Sequence, residues 1–317
     1  MKILVDIDEL QEQGIVTPEM AAQLRDHALK DTGSTAINIL LALGAVAVAA
    51  GLVTLTQSAG LSAALGAAFI AGGYAARTKM QELWGKLGSI WMVVGALTLA
   101  GSIGYITDKP LLGSLLAAGI FGGVAWVAGS RLLAALVPLA LESSIGGSTG
   151  YWTACYEIMV REPTLTIILF AVLALVGWLA VQRLKGLQEA LALAFTRMCI
   201  ILVNFGFWIG SLWGDSPGHL WRNPNESDYD AYLHPQIPET AFVVGWALAL
   251  LAAGFWGAQN GRRFLVNTVA TFGAIHLYTQ WFERFGADPV SVMLAGVATI
   301  AIGLGLWRYN HKVLGQA

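Results

Sequence analysis

Charge is what this sequence has least of. Acidic and basic side chains make up 12% of its 317 residues, 20 Asp and Glu against 18 Lys and Arg, where a soluble domain carries about 25%. A water-soluble globule of this length needs more charge on its surface, so that class is excluded. Cysteine is nearly missing: two residues, Cys155 and Cys199, build no disulfide framework. Proline stands at 9 residues, and with 56% of the chain hydrophobic a disordered chain is ruled out. The net charge of -2 gives no electrostatic footprint for nucleic acid. There is no GxSxG elbow, no Walker A loop, no GxGxxG opening a helix and no CxxC, and no cofactor is indicated. What remains is a polytopic membrane protein.

Long apolar runs are what the chain has in abundance. A bilayer core of about 30 Å needs about 20 apolar residues in a helix. Ten segments approach that length: 36–56, 60–76, 87–106, 110–128, 132–147, 163–181, 189–212, 240–259, 264–282 and 289–307. Period-2 alternation is missing, so the expected fold is all-α, a bundle of about ten transmembrane helices. Pro110, Pro163 and Pro289 stand at or near first turns, where a missing N–H costs nothing. Trp84, Trp152, Trp178, Trp213, Trp281 and Trp307 fall near the expected interfaces as an aromatic belt.

Lys and Arg set the orientation. Arg77, Lys79, Lys86, Arg131, Arg183, Lys185, Arg262, Arg263, Arg308 and Lys312 alternate onto the side that also holds Lys2, Arg25 and Lys30. Lys109, Arg161, Arg222 and Arg284 fall on the other side. The positive-inside rule then puts both termini in the cytoplasm. Residues 1–34 carry seven carboxylates and no apolar run of signal type, so no signal peptide is expected.

Residues 1–34 read as a cytoplasmic helical hairpin and 35–317 as the bundle. Val5–Gln13 forms a first helix stopped by Gly14; Thr17-Pro18-Glu19 caps a second, with Met20, Leu24 and Ala28 on one narrow face. Two readings stand for the hairpin, a docking site for a protein partner or a solubilising cap on the membrane surface. Gly119 with Gly123 and Gly206 with Gly210 have small-xxx-small spacing and predict close helix packing. The one long loop, 213–239, is expected outside, with five acids, one base and interleaved aromatics. It reads as a solvated loop capping the bundle or as a lid with a cation site. In the second reading Asp228, Asp230 and His234, with His219, are the weak candidate ligands; the loop has neither EF-hand spacing nor HExxH.

Ionisable groups inside spans are expensive and mark functional candidates. Glu142 lies 11 residues beyond Arg131, Arg197 lies 12 beyond Lys185, and His276 lies 13 beyond Arg263. At about 1.5 Å per residue these depths agree at roughly 16–20 Å, near the membrane midplane. Asn204 shares the Arg197 face, and Gln280 stands one turn after His276. These five residues are the candidate solute- or proton-binding set. The plainer alternative is that Glu142 and Arg197 neutralise each other while His276 is hydrogen-bonded in the core.

The opening Leu10-Gln-Glu-Gln-Gly-Ile-Val-Thr-Pro-Glu-Met-Ala-Ala-Gln-Leu24, running into a Gly/Ala-rich span, resembles bacterial membrane proteins of the domain of unknown function 2157 type. So does Gly129-Ser-Arg-Leu-Leu-Ala-Ala-Leu136, leading to Tyr151-Trp152. Where members of that family often carry a Gln, Gly101-Ser-Ile-Gly-Tyr105 stands here. The resemblance implies an inner-membrane protein and supplies no catalytic residues. Ten spans in about 300 residues also resemble the drug/metabolite transporters, built from five plus five inverted helices. The working expectation is a small-solute or ion transporter. The alternatives are a membrane scaffold or sensor that binds partners through the hairpin or loop, and a membrane-embedded enzyme.

Overall fold

A computed structural model describes residues 17–20, scattered positions between 40 and 52, and 54–79, 82–107, 109–152, 155–218, 235–286 and 288–314. Much of the span expected at 36–56 and most of the 1–34 hairpin lie outside the described residues. Within that hairpin, Thr17 accepts a hydrogen bond at Oγ1 from the Met20 amide (3.3 Å), as a cap opening a helix at Pro18 requires.

Among the described residues nine long helices succeed one another: α1 (Ala59–Lys79), α2 (Glu82–Ile106), α3 (Pro110–Ala128), α4 (Arg131–Ser144), α5 (Pro163–Arg183), α6 (Leu187–Trp213), α7 (Glu239–Gln259), α8 (Arg263–Phe285) and α9 (Pro289–Leu314). Pro110 and Pro163 occupy the first turns of α3 and α5, and Pro289 opens α9. Six helices, α1, α2, α3, α5, α6 and α7, are long and apolar enough to cross a membrane. Their outward faces carry bare apolar side chains such as Leu175 and Val176 on α5 and Leu248, Leu251 and Phe255 on α7. Water would not tolerate such faces over six helices; hydrocarbon does.

The remaining three helices refine the expected count of ten. α4 has 14 residues, about 21 Å of helix, short of the hydrocarbon thickness. Its apolar run continues in sequence, but the helix stops at Ser144. There the chain turns through Ile145 and Gly146, whose φ of +95° suits a residue without Cβ. An antiparallel hairpin comes next, β1 (Ser148–Trp152) on β2 (Cys155–Met159), with Ser148 opposite Met159 and Trp152 opposite Cys155. The expected all-α fold thus carries one two-stranded departure, at the place where the sequence puts Trp152 in the interfacial belt. α8 is long enough at 23 residues but more polar, and in α9 the apolar stretch covers Pro289–Gly305.

The chain divides into two compact units, 1–102 and 103–317. In the first, α1 and α2 pack backbone to backbone. A Cβ built on Gly73 would sit 2.5 Å from the Gly88 carbonyl oxygen, and one on Gly95 would sit 2.6 Å from that of Gly66. Glycines seven residues apart on each helix thus face each other, the close approach that small residues permit between membrane helices.

The second unit is organised around α6, which packs against α4, α5 and α7 and touches α8. One side of α6 puts Cys199 and Leu202 into a core with Phe170 and Ile145. The other presents Ile201, Phe205 and Trp208 to a second core of Trp246, Leu250 and Phe272. Gly206 and Gly210 lie at these contacts, against Ile167 and Phe242, whereas a Cβ on Gly119 or Gly123 would meet open space. The helices run alternately between two ends. The basic end carries Arg131, Arg183, Lys185, Arg262 and Arg263 at helix termini; the hairpin end carries β1–β2, Pro163, Trp213 and Glu239.

Candidate functional site

Asn204 lies on α6 where it faces α7. Its Nδ2 donates to the Ile200 carbonyl one turn back (2.8 Å), which orients the amide so that Oδ1 accepts from Trp246 Nε1 (3.0 Å). Trp246 is fully buried, and a buried indole N–H requires an acceptor. The Trp246 ring meets His276 of α8 edge-on, 4.8 Å between centroids at 73°. One turn along α8, Trp208 Nε1 donates to Thr279 Oγ1 (3.1 Å), tying α6 to α8. Two of the five candidates, Asn204 and His276, therefore meet at Trp246 where α6, α7 and α8 come together, and Gln280 stands one turn beyond His276 on α8. Two atoms there are buried without a hydrogen-bond partner: His276 Nδ1 and Gln280 Nε2. A cavity of about 210 Å³, mostly apolar, includes Asn204 and Trp246 in its wall but neither His276 nor Gln280.

Glu142 and Arg197 are elsewhere. The Glu142 carboxylate is 6% exposed and accepts from Thr166 Oγ1 at both oxygens, 3.0 and 3.2 Å. Gly147 closes over it, since a Cβ at that position would collide with the glutamate side chain. Thr166 lies in the first turn of α5, at the level of Gly206 on α6. Arg197 is exposed, nine residues lower on α6 and about 14 Å toward the basic end. Its guanidinium lies over the ring of Phe264, 4.8 Å from the centroid, at the start of α8. The common depth expected from counting residues after each boundary base is not what these contacts describe. The count assumes that every helix enters the membrane at its base and runs straight. Instead α4 is short, and α6, at 27 residues, is long enough to overshoot the bilayer.

A second assembly stands at the hairpin end. Asp215, just past α6, accepts the Thr164 amide at Oδ2 (2.8 Å), so its carboxylate holds a free N–H at the start of α5. Its backbone pairs both ways with Ile237, N–H to O at 2.9 Å and O to N–H at 2.8 Å. Glu162, 1% exposed, accepts the Gly218 amide at Oε2 (3.0 Å). These ties frame an open vestibule of about 850 Å³ lined by Arg161, Trp213, Asp215 and Glu239 among others. The loop residues Asp228, Asp230, His234 and His219 lie outside the described residues. Among the described ones, no three His, Cys, Asp or Glu side chains gather to hold a metal ion.

Trp246, Thr166 and the pair Glu162 and Asp215 did not stand out in sequence. Trp246 carried a usable signal: it sits well inside its span, away from the interfacial belt, where its N–H must find an intramembrane acceptor. Glu162 and Asp215 are 53 residues apart and gave none. Comparison with family models, curated proteins and solved structures finds no match to this chain.

Proposed function

We propose that this multi-pass membrane protein moves a small solute or ion across the bilayer, using the polar site at the junction of α6, α7 and α8. The observation that carries the reading is the pair of orphaned polar atoms, His276 Nδ1 and Gln280 Nε2, buried one helical turn apart. Buried polar atoms nearly always have partners, and in hydrocarbon an unpaired one costs more than in a soluble core. A site that keeps two such atoms open is built for a transient partner, a proton on the imidazole or a polar group of a solute. The bases gathered at one end favour that end facing the cytoplasm, with both termini inside and an inner-membrane location. The opening motif around Thr17-Pro18-Glu19 supports kinship with the domain of unknown function 2157 proteins.

The test is transport by the full chain in liposomes loaded with a pH-sensitive dye. Under an imposed proton gradient, a panel of amino acids, sugars, nucleosides and alkali cations is added in turn. Solute-dependent proton movement lost in His276→Ala and Gln280→Leu is the expected result. Absence of flux for every solute, or flux indifferent to both substitutions, overturns the proposal in favour of a scaffold or sensor.

A further inference from the structure

The vestibule at the hairpin end takes no part in the site at the junction of α6, α7 and α8, and its chemistry is specific. We propose that it recognises a small zwitterion of amino-acid to tripeptide size, with the ligand's ammonium at Asp215 and its carboxylate at Arg161. The proposal rests on the transport reading only for the passage of the bound ligand across the bilayer.

Preorganisation comes first. The three segments that frame the cavity are tied together by Thr164 N–H to Asp215, Gly218 N–H to Glu162, and the two-way pairing of Asp215 with Ile237. A ligand entering a frame already held by hydrogen bonds loses little ordering entropy. The volume of about 850 Å³ lies within the range of about 300–1,000 Å³ in which proteins bind small molecules.

Charge comes second. Asp215 lines the cavity, is only 8% exposed, and uses one oxygen on Thr164. Its other oxygen, Oδ1, is buried with no partner, and so is Oγ1 of Thr164 itself. The orphaned carboxylate oxygen calls for a donor, while the Thr164 hydroxyl, outside the cavity lining, carries a donor of its own. An ammonium brings three, and its charge matches the carboxylate. The indole of Trp213, 75% exposed at the same cavity, adds a face on which a cation is stabilised. Glu239 supplies a second negative charge at the wall. A metal ion fits less well, because no third ligand of carboxylate, imidazole or thiolate type joins Asp215 among the described residues. Arg161, exposed and lining the same cavity, offers the planar fork that pairs with a carboxylate. One buried acid and one accessible guanidinium in a single cavity select a ligand bearing both charges.

The experiment is calorimetric titration of the full chain in nanodiscs with alanine, dialanine and trialanine, then with N-acetylated and C-amidated trialanine. At least one free zwitterion binds, and removing either terminal charge weakens binding about tenfold or more, roughly the worth of one charged hydrogen bond. Asp215→Asn keeps an oxygen for the Thr164 amide; it abolishes the difference between free and acetylated peptide and leaves the difference between free and amidated. Arg161→Gln does the reverse. Failure of all three zwitterions to bind, or equal binding of free and acetylated peptide by the unaltered protein, overturns the proposal without relying on any variant. Binding without flux keeps this inference and removes the transport reading. Flux of a solute with no zwitterion bound keeps the transport reading and overturns this inference.

Discussion

Trp246 and Asn204 make the interhelical contact whose removal is easiest to quantify. Trp246→Phe keeps an aromatic ring in the core but deletes the Nε1–H, leaving Asn204 Oδ1 without its donor. Asn204→Leu does the converse and strands the indole N–H in a fully buried position. Each single change leaves one buried polar group unpaired, at a cost of about 1–3 kcal/mol, with a packing cost added. The double variant strands neither. Hydrogen bonds between membrane helices average about 0.6 kcal/mol, with about 1.7 the largest measured. The double variant should therefore be less destabilised than the sum of the singles by about 0.6–1.7 kcal/mol. Reversible unfolding in mixed detergent micelles, followed by circular dichroism, measures all four proteins. Singles that add to within about 0.3 kcal/mol would show that the bond contributes nothing net, and that aromatic packing alone joins α6 to α7.

The other predictions concern separate parts of the molecule. Gly73→Ala places a Cβ against the Gly88 carbonyl and should cost about 1–3 kcal/mol through forced helix separation. Gly101→Ala, which meets open space, should be neutral or slightly stabilising in the same micellar unfolding measurement. Thr166→Val removes the hydroxyl that serves both Glu142 oxygens and should lose about 1–3 kcal/mol; Thr166→Ser should retain most of that, and equal loss in both would refute the hydrogen bond's role. Exchange of charges by Glu142→Arg with Arg197→Glu should rescue neither single variant, since Glu142 is held by Thr166 and Arg197 by Phe264; recovery of expression would refute that placement. Arg197→Gln alone should cost less than about 1 kcal/mol, as expected for an exposed cation–π contact.

How far the site was legible in the sequence depended on the range of the interaction. His276 and Gln280 stood out together because a spacing of four residues puts them on one helix face, a relation internal to α8. Asn204 was linked in sequence only to Arg197, on its own helix. Its partner Trp246 is 42 residues away, and nothing local to either residue joins them. Glu142 and Arg197 stand at different levels for a related reason: distance from the nearest base is a local property, while helix length and entry point are set by what each helix packs against. Pro138 and Ser144 gave no warning that α4 would end before Ile145, where the apolar run continues but the turn at Gly146 diverts the chain.

The sequence by itself determined the solvent of this protein and where most of its helices begin and end. Apolar length, proline at helix starts and the side on which Lys and Arg gather are properties of single segments, and the bilayer reads them one segment at a time. Tertiary structure decided which segments meet. It made α6 the central helix of its unit, set Gly66 and Gly73 against Gly95 and Gly88, gave Glu142 to Thr166, and drew Asp215 back to the start of α5. In hydrocarbon there is little hydrophobic force to choose among apolar faces, so close packing and a few hydrogen bonds make that choice. Those contacts join residues distant in the chain, and no local pattern records them.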